Sequence, residues 1–142
     1  MNDWAHGVTG LGKIVKRFPH IAYAGLVKAL HNKWTYRQRV TTGHGSLYEP
    51  IEKAIREDFL PALLNQPNIG GNMRNQIALA VKRAGLGIPD PTRSTADNYT
   101  ASIDCSKLLV ESLLIGVPLD IGDRQRHEIN IQKSSKERQK AT

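Results

Sequence analysis

Glu49-Pro50-Ile51-Glu52-Lys53-Ala54-Ile55-Arg56-Glu57-Asp58-Phe59-Leu60-Pro61-Ala62-Leu63-Leu64 is the stretch that decides the fold. A proline and acids stand in its first turn, where a missing N–H costs nothing and negative charge suits the helix dipole. Ile51, Ala54, Ile55 and Phe59 then recur at spacings of three and four, which places them on one face of a helix. Pro61 either kinks that helix or opens a new turn carrying Leu63 and Leu64.

The same period extends in both directions. Upstream, Tyr23, Leu26, Val27, Leu30 and Trp34 form one apolar stripe. Further upstream, Trp4, Val8, Leu11 and Val15 predict a helix with Asp3 as N-cap and Pro19 as its end. Gly7, Gly10 and Gly12 weaken that first helix by about 1 kcal/mol each against alanine, so it needs tertiary support. Thr41 to Ser46 is a loop by composition.

Downstream, Asn65 to Asn72 is a polar turn. Met73, Ile77, Ala80, Val81 and Ala84 give a fourth amphipathic stretch, capped by Gly85. Gly85 to Pro91 holds two glycines and two prolines, so it is extended, with Leu86 and Ile88 as anchors. A fifth helix, capped by Ser94 or Thr95, runs to Ile115 before Gly116 and Pro118. Its expected apolar set is Tyr99, Ile103, Leu109, Val110, Leu113 and Leu114, with Cys105 as a small core filler. Residues 123–142 read as a marginal helix or a disordered tail. The fold expected is all-α, an irregular bundle of about five helices over residues 1–118, followed by a charged tail over 119–142.

Composition narrows the function classes. The 142 residues fit one domain of about 150. Hydrophobic residues make up 39 %, below the ~45–50 % of an average globular chain. A single cysteine excludes an internal disulfide and a zinc site built on several thiolates. No run approaches the ~18 apolar residues of a membrane span, and no signal-peptide core opens the chain. A soluble, intracellular protein of cytoplasm or nucleus is expected.

The charge is unevenly placed. The net charge is +7, and between Trp4 and Tyr48 no acid occurs while Lys13, Lys16, Arg17, Lys28, Lys33, Arg37 and Arg39 do. A segment of one sign is costly unless solvent or an anion lies beside it. Lys33-Trp34-Thr35-Tyr36-Arg37-Gln38-Arg39 interleaves cations with two rings, a pattern suited to phosphate contact and stacking. Trp34 continues the apolar stripe and is assigned to the core; Tyr36 is free. Lys82-Arg83 forms a second cluster. The expected nucleic-acid contacts are therefore Lys28, Lys33, Tyr36, Arg37, Arg39, Lys82 and Arg83.

No catalytic, metal or cofactor site is expected. Two-metal phosphoryl chemistry needs clustered carboxylates, and Asp120 with Asp123 reads as a turn and helix cap. The five histidines lack i,i+4 metal spacing, and Cys105 has no histidine near it in sequence. Neither Gly43-His44-Gly45 nor Gly85-Leu86-Gly87 carries the Lys-Ser/Thr of a phosphate loop.

Taken in order, four segments resemble a known family. They are Lys33–Thr41, then Glu49–Arg56 with Phe59–Leu63, then Leu79–Pro91, then Tyr99–Ser102. The series is similar to the region after the polymerase palm in eukaryotic retroelement reverse transcriptases. There a W-x-Y/F-x-x-R helix, a P-L/I-E-x-A-I/L-R … F-L/I-P-A-L helix and an L-P-x-R-x-G-G-L-G-I-x-x-P turn recur. The resemblance covers roughly Trp4 to Leu114. It implies a helical thumb or connection segment that helps hold an RNA–DNA template–primer duplex beside a palm supplied by polymerase domains outside this chain. The family's catalytic Asp-Asp box belongs to that palm and has no counterpart here. The chain departs from the pattern in this turn, with Leu79-Ala80 for Leu-Pro and Ala84-Gly85 for Gly-Gly, and in a first helix unusually rich in glycine.

A chain that opens inside an expected helix and stops in a charged tail reads as a piece of a longer protein. Two other readings stay open. One is a protein–protein interaction module, the other a retroelement remnant with no activity of its own.

Overall fold

The structure is a computed structural model that describes residues 1–141, with side chains through Arg138. Among the described residues the chain forms six helical rods and no strand, so the all-α expectation holds. α1 spans Asn2–Ile14. The second rod joins α2 (Pro19–Ala24), a π-helical segment (Gly25–Leu30) and α3 (His31–Val40) without a break. A 3-10 turn at Gly45–Tyr48 leads into the third rod, α4 (Glu49–Ala54), a second π segment (Ile55–Phe59) and α5 (Leu60–Leu64). Then follow α6 (Gly71–Ala78), a 3-10 turn at Val81–Arg83, α7 (Pro91–Ile115) and α8 (Ile121–Ala141).

The Glu49–Leu64 stretch lies at the centre. Ile51, Ile55, Phe59 and Leu60 are fully buried, each such side chain stabilising the fold by about 1.5–3 kcal/mol. Pro61 sits one residue into α5 and leaves the rod continuous, because the π-helical turn just before it, Ile55–Phe59, already interrupts the regular ladder that a proline would break. α1 packs across this rod and across the π segment of the second. The crossing is close because Gly12 has no side chain; a Cβ there would lie 3.0 Å from the Asp58 carbonyl oxygen. Thr9 Oγ1 donates to Asp58 Oδ2 at 2.7 Å beside it. This is the tertiary support that a glycine-rich helix requires. Asp3 lies in its first turn, while Met1 occupies the cap position.

Trp34, 1 % exposed, and Leu26 complete the core from the second rod, as the stripe predicts. α3 packs against the first half of α7. Gln38, fully buried there, donates through Nε2 to the Pro91 carbonyl (2.8 Å) and to Thr95 Oγ1 (3.1 Å). Its Oε1 accepts from Ser94 Oγ and Asn98 Nδ2.

Further expectations need correction. The fourth helix stops at Ala78 instead of running to Ala84, because the chain doubles back and claims its last carbonyls. Leu86 N donates to Ile77 O (3.0 Å), and Gly87 N to Leu79 O (2.8 Å). The cap of α7 is Asp90, whose carboxylate accepts from Thr92 N, with Pro91 as first helical residue; Ser94 and Thr95 lie inside the helix. The second half of α7 buries none of its expected apolar set: Ile103, Leu109, Val110, Leu113 and Leu114 are exposed, Leu114 by 81 %. Cys105 is half-buried on a cleft wall, not in the core. The tail is a helix through Ala141 lying along α7; the last position of that reading, Thr142, is outside the described residues.

Candidate nucleic-acid interface

α3 is regular and presents two opposed sides. Trp34 and Gln38 turn inward, while Lys33, Tyr36 and Arg37, at i, i+3 and i+4, share the outer face. Tyr36 is 68 % exposed and its ring lies open to solvent. The Arg37 guanidinium carbon sits 5.9 Å from the centre of the Trp4 ring of α1, a cation–π contact that links this face to the first helix. Lys28 is exposed on the π segment of the same rod.

Arg39 departs from this group. It is directed to a cleft between α3, α7 and α8. Lys82 and Arg83 are exposed on the 3-10 turn beyond α6. That turn is held by Gln76 Nε2, which donates to the Ala84 carbonyl at 3.1 Å, and the following Leu86 carbonyl accepts from Tyr23 Oη of α2 at 2.5 Å. Among the described residues no hydrogen bond or ion pair joins Lys82 or Arg83 to α3. The seven sequence-derived residues therefore fall in three places: an α2–α3 face, a cleft wall and a separate turn.

Among the described residues, none of Lys13, Lys16, Arg17, Lys28, Lys33, Arg37 and Arg39 makes an ion pair. The pairs that do form lie elsewhere. The strongest joins Arg74 to Glu52, Nε to Oε1 at 2.7 Å and Nη2 to Oε2 at 2.8 Å, with Nη1 donating to the Ile88 carbonyl at 2.7 Å. Arg74 is 3 % exposed. Burial pushes the Glu52 carboxyl upward from its ordinary value, while Arg74 pulls it back. The sequence marks neither residue as half of a buried pair, since such a pair leaves no trace in apolar spacing.

His31 packs edge-on against Trp34, ring centres 5.7 Å apart. Burial, and secondly Arg39, hold its pKa below the ordinary 6.5, so it stays neutral and adds nothing to the cationic face at neutral pH. Among the described residues no group of three or more His, Cys, Asp and Glu side chains is placed to hold a metal ion. No described helix is long and apolar enough to cross a membrane.

Comparison with protein-family models, curated proteins and solved structures gives no match for this chain.

Proposed function

We propose that this chain is a non-catalytic helical segment that braces a nucleic-acid duplex, an RNA–DNA hybrid held by polymerase domains outside it. The observation that carries the reading is the charge of residues 1–48, whose seven cations are exposed and make no ion pair among the described residues. Such a surface gains by releasing counterions from phosphates. Lys33 and Arg37 would contact phosphate, and Tyr36 would stack on sugar or base. An intracellular site, cytoplasm or nucleus, goes with this role.

The backbone at the retroelement-like turn supports the same reading. Ala80, where the pattern has proline, has φ −59°, and its amide makes no hydrogen bond among the described residues. Ala84, where the pattern has glycine, has φ +61°. At Gly85 a Cβ would lie 2.0 Å from Leu79 O, and Gly87 has φ +66°. The pattern's residues are thus the ones this backbone asks for.

The test is fluorescence anisotropy with a labelled RNA–DNA hybrid. Lys33→Gln with Arg37→Gln should weaken binding and flatten its salt slope by about two units. Unchanged binding in that pair would remove α3 from the interface.

A second reading, a protein-interaction module, is favoured by one observation: the exposed Ile103, Val110, Leu113 and Leu114 of α7. Concentration-dependent self-association without hybrid binding would support it over the first.

A further inference from the structure

α7 and α8 run antiparallel. His127 Nε2 lies 2.8 Å from the Asp104 carbonyl, and near the far end Arg138 Nε lies 3.7 Å from Asp97 Oδ1. Their facing side chains are largely polar and do not close the seam. A cleft of about 460 Å³ remains between them and the end of α3. Arg39, Arg124 and Lys136 line it, against one carboxylate, Glu128, already held by Arg124 Nε at 2.9 Å. The cleft therefore attracts anions.

Its length selects which anion. Arg124 and Lys136 are twelve residues apart on α8, about 18 Å at 1.5 Å per residue. A compact phosphate cannot reach both, whereas a strand with several successive phosphates can. No aromatic ring lines the cleft, so it offers backbone contacts and no stacking platform. Ser102 and Ser135, whose hydroxyls make no hydrogen bond among the described residues, supply further polar contacts to phosphate oxygens or sugar.

We propose that the α7–α8 groove holds a single nucleic-acid strand lengthwise, its phosphates against Arg124, Arg39 and Lys136. The inference rests on the nucleic-acid reading and adds a second, strand-specific contact away from the Lys33–Arg37 face. Binding there is independent of base sequence and weakens with salt.

Cys105 on the groove wall provides a direct probe. Burial, then Glu128 and Asp104, hold its thiol above the ordinary 9.0 while Arg39 pulls it down, and its alkylation by a maleimide reports access to the groove. The experiment uses the full chain with a labelled oligothymidylate, and separately an oligouridylate, of about a dozen nucleotides. Either strand should slow Cys105 alkylation several-fold. Arg124→Gln with Lys136→Gln should flatten the salt slope of strand binding by about 1.4 units and leave hybrid binding unchanged. Lys136→Gln alone, a change at an exposed residue, should flatten it by about 0.7. Hybrid binding with no strand-dependent protection of Cys105 overturns the groove alone. Failure of strands and hybrid alike overturns the nucleic-acid reading with it.

Discussion

Glu52 and Arg74 show how much one pair of side chains decides. Taking two charges out of water is costly, and only a two-pronged geometry with the Ile88 carbonyl as third acceptor offsets it. The pair fastens the Gly85–Asp90 segment to the central rod. Glu52→Gln leaves a buried guanidinium without its counter-charge and should destabilise the fold by about 3–5 kcal/mol in urea unfolding. Lys53→Gln, one residue on and exposed, should change stability by less than about 0.5 kcal/mol. Equal losses in the two would mean the pair holds nothing together.

His31 carries a second prediction. Its folded pKa is depressed by burial and Arg39, so its stabilisation is full above the ordinary 6.5 and is lost as pH falls below that value. Between mildly alkaline and mildly acid buffer, the wild type should lose more stability than His31→Gln. An identical pH slope in both proteins would show that the imidazole titrates freely in the folded state.

Elements were legible where apolar spacing alone builds them. Ile51, Ala54, Ile55 and Phe59 named the central rod, and Leu26 with Trp34 named the buried side of the second. Legibility failed where distant partners rule. α6 ends at Ala78 because returning amides from Leu86 and Gly87 claim carbonyls that a longer helix would have used. Gln38 looked like any polar helix residue, yet its partners Thr95 and Asn98 lie 57 and 60 residues away. The second half of α7 has an apolar face that no other part of the described chain covers, so periodicity there predicted a core that does not form.

The turn after α6 has a backbone that favours other residues than two of those it carries. Ala80→Pro fits the existing φ and loses no hydrogen bond, and Ala84→Gly relieves a left-handed alanine. Each should raise stability by about 0.4–1 kcal/mol. Gly85→Ala should disrupt the turn, because its Cβ would overlap the Leu79 carbonyl. Destabilisation by Ala80→Pro and Ala84→Gly would mean that the turn in solution has another path.

Across the whole molecule, charge and packing divide the labour. The core lies among α1, the two π-bearing rods and the turn that carries Ile88. Six of the seven net charges fall in residues 1–48, seven cations against Asp3, and they lie outside that core without ion pairs. The candidate site was only partly legible, since spacing along the chain named the cations but could not divide them. Arg37 leans on Trp4, Arg39 turns toward α8, and Lys82 with Arg83 ride on a separate turn. Spacing along one helix gives faces; which neighbour stands beside each face depends on chain far away.

The most direct measurement is the affinity of the intact chain for an RNA–DNA hybrid across a series of salt concentrations. The expected result is binding whose logarithm falls linearly and steeply with the logarithm of salt, with a slope reporting several phosphate contacts. Binding that does not respond to salt, or none near physiological ionic strength, would contradict it.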